Sequence, residues 1–437
     1  METFFSTLFS ITLPLDVFAW EFALTWWWLF LPFLLFGSFV FLWLWWRTDQ
    51  WLKNRRWIVL EVRLPQEVDS PFRRMEAVIA GFWQVKIGKN KREKWLEGRI
   101  QLGVALEIAS IEGKVHFFVR FEQDERQLIE ASIYAQFPEA EITEVEDYTK
   151  LVPADVPNKE WDLWASNYRL LKENVYPIRT YRQFFEEQAT TREEEPIRID
   201  PLGQLLEGMA KLGSGEHMWI QILASPVDKD AGYEEQAKAI VNKIVRRPEK
   251  GKSTSTAQDV GTVLSVLATG KATPQQVEQE SILPPEMRIT PGERVIVTAI
   301  DEKVSKLMFS CTIRSLYVAK RDAFWSGMKA IPMSYFTQFT TENLNGLRVD
   351  SDTWTKVHTI STWFLDKRRL YLRKRRHFRY YKWRFGIFFP RSKGDFLLNI
   401  EELASLYHFP GKLTAPAAAL ERVEAKKGEA PSALPTE

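Results

Sequence analysis

The sequence predicts an α+β protein with an N-terminal transmembrane helix, two ferredoxin-like (split βαβ) units, a disordered insertion and a disordered tail. Two observations support this fold class. An uncharged apolar run near the N-terminus is long enough to cross a bilayer. Behind it, segments with strand and helix periods follow in the order β-α-β-β-α-β. The predicted regions are 1–21 (an extracytoplasmic or interfacial segment), 22–46 (the membrane helix), 57–148 (the first unit), 158–411 (the second unit, with an insertion at 248–285) and 412–437 (the tail).

The membrane helix is predicted over Phe22–Trp46, a stretch without a single charged residue. A helix of this length reaches roughly 37 Å, which exceeds a hydrocarbon core of about 30 Å. Tryptophans cluster at both ends of the run, where indoles prefer the headgroup level. The predicted membrane-interface residues are Trp26, Trp27, Trp28, Trp43, Trp45 and Trp46.

The flanking charges predict the orientation of this helix. Arg47, Lys53, Arg55 and Arg56 follow the apolar run, and no lysine or arginine precedes it. The positive-inside rule then places the C-terminal bulk in the cytoplasm and the N-terminus outside. We therefore expect a single-pass protein of the inner (cytoplasmic) membrane, and leave open whether residues 4–20 form a second crossing.

The first predicted unit covers residues 57–148. It begins with the strand Trp57–Leu64 and continues with a helix that has Pro71 at its first position. Two strand patterns then meet at Glu112-Gly113, which indicates a hairpin turn. A second amphipathic helix, "DERQLIEASIYAQF", and a last strand, "AEITEVEDY", complete the β-α-β-β-α-β order.

The second predicted unit covers residues 158–411 and repeats this alternation with an interruption. The strands "WDLWASNYRLL", "EHMWIQILASPV" and "MFSCTIRSLYVAK" are separated by helical patterns. One of these helices starts with Thr290 as N-cap and Pro291 in the first turn. Residues 248–285 are rich in Lys, Ser, Thr, Gln and Pro, a composition typical of a flexible insertion.

Several phrases, in matching order, resemble one bacterial group. They include "FVRFEQDERQLIEASIYAQFPEAEITEVEDY", "MWIQILASP", "AIDEKVSKLMFSCTIRSLYVAK", "QFTTENLNGLR" and "LLNIEELASLYHFPG", and they span most of Trp57–Gly411. This group is the membrane-anchored, non-catalytic N-terminal region associated with HerA/FtsK-like conjugation and type IV secretion ATPases. The resemblance implies a P-loop ATPase domain soon after "YHFPG", but only twenty-six residues follow Gly411. It therefore implies a membrane-anchored, non-enzymatic assembly or docking subunit, with a P-loop ATPase as a partner in trans.

No catalytic, cofactor-binding or metal-ligating residue is predicted. The stretch Gly251-Lys252-Ser253-Thr254 resembles the end of a phosphate-binding loop, but Arg246 stands where the motif needs its first glycine. The five histidines lack metal-ligand spacing. A lone cysteine, Cys311, lies in an apolar strand pattern, which favours a small core residue over a nucleophile.

The most conspicuous charge run is the basic segment, residues 366–385. Ten of its residues are basic, and aromatic residues lie between them. This pattern suits phosphates and stacked bases, but also an anionic lipid surface or a solvated face paired with this chain's acids. The alternative function is therefore a membrane-tethered nucleic-acid-binding protein. The predicted nucleic-acid or lipid contacts are Lys367, Arg368, Arg369, Arg373, Lys374, Arg375, Arg376, Arg379, Lys382 and Arg384.

The expected partners follow from these predictions. They are a lipid bilayer, a P-loop ATPase in trans, nucleic acid and, in a homo-oligomer, further copies of this chain. Nearly balanced charges, 59 Lys and Arg against 57 Asp and Glu, select none of them.

Overall fold

The computed structural model describes the chain with several gaps. The described residues are 26, 28, 31, 35–64, 71–86, 90, 92–186, 200–228, 232–245, 289–357, 363–386 and 394–411. The predicted segment 1–21, the insertion 248–285 and the tail 412–437 lie outside them. The chain divides into two compact units, the first formed by Met1–Arg56 and Ile87–Gln101, and the second by Trp57–Lys86 and Leu102–Glu437.

The first unit contains a helix over residues 35–53. Its apolar part ends at Trp46, after which Arg47, Asp49 and Lys53 follow within the same helix. Among the described residues, no helix is long and apolar enough to cross a membrane. The prediction of a transmembrane helix over Phe22–Trp46, and with it the single-pass inner-membrane localisation, is therefore wrong.

A short π-helical turn, Glu93–Glu97, packs beside this helix in the same unit. The Thr48 hydroxyl donates a hydrogen bond to the Gly98 carbonyl at 3.1 Å. Gly98 has φ +70°, and a Cβ at this position would lie 2.5 Å from the backbone of Arg47 and Thr48. Glycine is therefore required where the turn approaches the helix.

The second unit is built on an antiparallel sheet with nine strands in the described part of the chain. The order is β4-β1-β3-β2-β6-β7-β5-β8, and β9 pairs with β7. The strands are β1 Trp57–Arg63, β2 Val104–Ile111, β3 Lys114–Glu122, β4 Glu141–Val145, β5 Trp161–Leu170, β6 Glu216–Pro226, β7 Met308–Lys320, β8 Leu347–Val349 and β9 Phe396–Asn399.

The continuity of this sheet contradicts the predicted architecture of two ferredoxin-like units behind a membrane helix. Strand β2 pairs with β6 along its whole length, from Val104 opposite Ala224 to Ile111 opposite His217. The two predicted units would each have ended at an edge strand here. Instead β2 and β6 are buried along almost their whole length, because each has a hydrogen-bonded neighbour on both sides.

The helices of the second unit begin and end as follows: α1 Pro71–Phe82, α2 Arg126–Gln136, α3 Tyr181–Glu186, α4 Leu202–Ala210, α5 Tyr233–Val245, α6 Pro291–Ser305, α7 Ala330–Thr337, α8 Asp366–Trp383 and α9 Ile400–Leu406. Two of them start with capping boxes that satisfy the first backbone N–H groups. These are Thr290 with Glu293 for α6, and Asn399 with Glu402 for α9. The predicted N-cap at Thr290 is confirmed.

The sheet has two faces because successive side chains of a strand point in opposite directions. Most of the helices contribute to the larger apolar core, on one face. Met75 and Ile79 of α1, Leu206 of α4 and Leu403 of α9 pack there against the strands. The other face carries a smaller core that includes Trp219 of β6 together with Phe378 and Tyr381 of α8. The basic segment thus forms the helix that covers this second face.

Candidate functional site

The helix α8 is held on the sheet by one of its faces. His377, Phe378 and Tyr381 are buried, and the ring of Tyr381 lies 5.5 Å from that of Trp219. The spacings 377, 378 and 381 repeat at three and four residues, so these side chains share one side of the helix. Burial of this side fixes which residues of α8 point to solvent.

The exposed side of α8 carries most of the predicted basic residues. We call the exposed basic residues of α8 the basic face: Lys367, Arg368, Arg369, Arg375, Arg376 and Arg379. Arg368, Arg375 and Arg379 lie seven and four residues apart, which places them in one line along the helix. The structure therefore brings five of the ten predicted residues together on the side of α8 that faces away from the sheet, and Lys367 is exposed in the first turn of the helix.

Aromatic rings lie among these arginines. The Arg375 Nη1 group donates to the Tyr371 hydroxyl at 3.0 Å. The guanidinium carbon of Arg379 is 5.3 Å from the ring centroid of Trp383 and 5.6 Å from that of Tyr380. Such cation–π contacts orient the guanidinium while its N–H groups keep donor capacity.

Three further predicted residues are half-buried and have internal partners. Arg373 donates to the carbonyl of Trp354 at 2.7 Å, and Lys374 forms an ion pair with Asp162 at 2.6 Å. Lys382 lies 5.7 Å above the ring of Phe378. These cations fasten α8 to its surroundings, so the structure separates them from the basic face.

The tenth predicted residue, Arg384, is buried, contrary to its predicted role as a contact for nucleic acid or lipid. It caps α8 in the left-handed region, with φ 56°. Its Nε donates to Glu107 Oε1 at 2.9 Å, and its Nη2 donates to Asp147 Oδ1 at 3.0 Å. Burial alone would raise the pKa of Asp147, but the hydrogen bond and charge of Arg384 outweigh this, and the pKa is lowered.

Beneath α8 lies a polar row that sequence reasoning missed. The sheet register places Asn167 opposite Arg314, Arg314 opposite Gln221, and Gln221 opposite Glu107. All four side chains are buried. Burial, which disfavours the charged guanidinium, lowers the pKa of Arg314 to about 10. The available signal was a charged residue in the interior of a mostly apolar strand, as Glu107 in "VALEIASI" and Arg314 in "MFSCTIRSLYVAK".

His377 completes the contact between α8 and its surroundings. Its Nε2 lies 2.5 Å from the carbonyl of Thr353. Burial lowers the pKa of His377 to about 3, and the charges of Arg314 and Arg373 act in the same direction. The ring is therefore neutral at pH 7, and Nε2–H donates to the carbonyl.

The predicted membrane-interface tryptophans lie in the first unit, apart from Trp27, which lies outside the described residues. The other five indoles, Trp26, Trp28, Trp43, Trp45 and Trp46, are all exposed. The Nε1 group of Trp43 donates to the carbonyl of Trp95 at 3.2 Å. Their predicted role at the two surfaces of a bilayer depended on a transmembrane helix. No described helix is long and apolar enough to cross a membrane.

The described residues contain no group of three or more His, Cys, Asp or Glu side chains that could hold a metal ion. Cys311 is fully buried, and burial raises the pKa of its thiol well above the usual value. A buried, protonated thiol is a weak nucleophile. The chemistry that the basic face offers is the binding of anions with flat apolar groups nearby.

Comparison with protein-family models and with curated proteins finds no match to this chain.

Proposed function

We propose that this chain is a non-enzymatic nucleic-acid-binding protein and that the basic face of α8 is its contact surface. The observation that supports the proposal is the exposure of six cations on one helix, five of them on the side that faces away from the sheet. Phosphate contacts by lysine and arginine provide most of the affinity in such interfaces. A rigid helix, fixed by its buried side, holds these cations in place before a ligand arrives.

The internal ion pairs favour this function over a merely solvated face. Three carboxylates beside α8 pair with other cations of the basic segment: Asp162 pairs with Lys374, and Glu107 and Asp147 pair with Arg384. Arg375 and Arg379, by contrast, contact aromatic groups. Their charge therefore remains available to phosphates.

The test neutralises the middle of the basic face with the triple variant Arg375→Gln, Arg376→Gln and Arg379→Gln. Affinity of the full chain for a fluorescein-labelled single-stranded dT oligonucleotide is measured by fluorescence anisotropy at several salt concentrations. Each lost phosphate contact on a single strand should reduce the magnitude of the log K against log salt slope by about 0.7. We expect weaker binding at low salt and a slope smaller by about 2.

The matched control neutralises three exposed cations on other elements, with Lys150→Gln, Lys211→Gln and Arg348→Gln. It should bind the oligonucleotide as the parent chain does. Equal losses in the two triple variants would mean that only net charge matters and would overturn the assignment to α8. A parent chain that does not bind at low salt would refute the proposal altogether.

A second candidate is a docking subunit for a HerA/FtsK-like ATPase in DNA transfer or type IV secretion. Its basis is that the resembling phrases form the centre of the fold: "MWIQILASP" belongs to β6, and "MFSCTIRSLYVAK" is β7. Resemblance in these central strands supports a similar scaffold in this chain and in that group, although a fold alone does not define function. The test is binding of the purified chain to a purified ATPase of this class. Absence of binding at micromolar concentrations would contradict this candidate and leave the first one intact.

A further inference from the structure

We infer that the basic face of α8, with its two flanking aromatic residues, selects single-stranded over double-stranded nucleic acid. This inference rests on the proposed function and names the ligand class for the same surface. Both ligand classes offer phosphates to arginine. They differ in their bases, since only unpaired bases can turn a flat face towards a protein ring.

Trp383 provides the first aromatic platform, at the C-terminal end of α8. Its side chain is 51% exposed although it is held by neighbours on the same helix. The ring of Tyr380 lies 5.8 Å away in an edge-to-face arrangement, and Arg379 lies 5.3 Å from the indole centroid. An exposed ring that is already oriented loses little conformational freedom when a base stacks on it.

Tyr371 provides the second platform, three turns towards the N-terminus. Its ring is 40% exposed, and its hydroxyl accepts the hydrogen bond from Arg375. Twelve residues separate Tyr371 from Trp383, which corresponds to roughly 18 Å along the helix. Arg375, Arg376 and Arg379 lie between the two rings in the sequence.

This order of groups suits a flexible strand better than a duplex. A single strand can follow the arginines with its phosphates and turn bases onto the rings at both ends, because its backbone is not constrained by pairing. A duplex presents the same phosphates, but its bases are stacked on one another, so the two rings gain no partner. Loss of a ring should therefore weaken single-strand binding and leave duplex binding almost unchanged.

The experiment measures anisotropy of the full chain with two fluorescein-labelled probes at one salt concentration: dT12 and a mixed-sequence 12-base-pair duplex. The variants are Trp383→Leu, Tyr371→Leu and their combination. We expect each single change to weaken dT12 binding by roughly 10-fold, as for a lost base–aromatic stack, and duplex binding by less than about 2-fold. Trp383→Phe, which keeps an aromatic face, should restore most of the affinity for dT12.

The matched control is Tyr134→Leu on α2, whose side chain has the same exposed fraction, 40%, as that of Tyr371. It should bind both probes as the parent chain does. Circular dichroism and thermal unfolding identify any variant that fails to fold, and if Trp383→Leu fails, the Tyr371→Leu variant carries the test.

The outcomes separate the two claims. Equal affinity for dT12 and the duplex, or equal losses for both probes in the ring variants, overturns the single-strand inference and leaves nucleic-acid binding in place. Lack of binding to either probe overturns both. Preference for dT12 that survives in the combined ring variant overturns the role of Tyr371 and Trp383.

Discussion

The basic face of α8 and the buried end of the same basic segment use identical side chains for opposite purposes. Arg375 and Arg379 lie at the surface beside aromatic rings, whereas Arg384 lies beneath the helix between Glu107 and Asp147. The surface arginines remain hydrated, and their N–H groups can still donate hydrogen bonds to a ligand. The buried arginine has exchanged water for two carboxylates.

The difference shows that a run of basic residues is not one functional unit. The helical period divides it: Lys374 turns towards a carboxylate of the sheet, whereas Arg375 and Arg379 lie at the surface beside aromatic rings. Removing a buried charge that is paired leaves its partners without compensation, while removing an exposed charge costs little stability. Stability and ligand binding should therefore respond to different residues of the same segment.

The largest effect is expected for Arg384→Met. This change leaves Glu107 and Asp147 without their cation, and the free energy of unfolding should fall by about 3–5 kcal/mol. The measurement is urea denaturation at pH 7, with Arg375→Met as the exposed control. Arg384→Gly suits the positive φ better but also removes the ion pairs. If Arg384→Met were as stable as the parent chain, the ion pairs of Arg384 would contribute little, and the contrast between the buried and the exposed arginines would be wrong.

The second effect concerns pH and His377. Its pKa in the folded chain, about 3, lies below the value of about 6.5 in an unfolded chain. Between these values the unfolded chain binds the additional proton, so stability is lost as the pH falls below about 6.5. From pH 7 to pH 5 this group should reduce the free energy of unfolding by about 2 kcal/mol. His377→Gln should flatten the profile measured by urea denaturation.

A second buried histidine limits how flat that profile becomes. Burial also lowers the pKa of His217, so His217 contributes with the same sign. The control is His217→Gln alone, which should leave the contribution of His377 visible. An unchanged profile in both variants would show that neither ring remains neutral inside the protein.

A smaller effect is expected for Lys374→Met, because its ion pair with Asp162 is only partly shielded from solvent. The two side chains are 13% and 16% exposed, between the situations of Arg384 and of the basic face. The free energy of unfolding should fall by about 1 kcal/mol. The double variant with Asp162→Asn measures the coupling, and additive losses would mean that the two groups do not interact in solution.

The smallest effect on stability is expected for the triple variant Arg375→Gln, Arg376→Gln and Arg379→Gln. Exposed substitutions typically change the free energy of unfolding by less than about 0.5 kcal/mol each. The same variant should show the largest loss of oligonucleotide affinity. A large loss of stability would mean that these side chains hold the helix in place and would remove the contrast between the two ends of the segment.

Individual elements were predictable because their signals are local. The hairpin turn at Glu112-Gly113 has two adjacent residues with positive φ, 54° and 88°, as a two-residue connection between β2 and β3 requires. The capping box at Thr290 needs only the residues of one helical turn. Strand β7 was recognisable from its long apolar, β-branched run.

The arrangement of these elements depended on contacts between distant parts of the chain. The pairing of β2 with β6 joins residues that are more than one hundred positions apart, and no local pattern specifies it. The predicted membrane helix depended on a local apolar run, and no described helix is long and apolar enough to cross a membrane.

The sequence by itself determined the composition of the candidate site: a helix with many cations, aromatic residues between them and no catalytic motif. The tertiary structure decided which of these cations can reach a ligand. That decision depends on the side of α8 that the sheet buries, and on Glu107 and Asp147, which lie far from Arg384 in the sequence and next to it in space. The sequence specifies which residues are charged, and the packing of α8 on the sheet decides which of these charges are accessible.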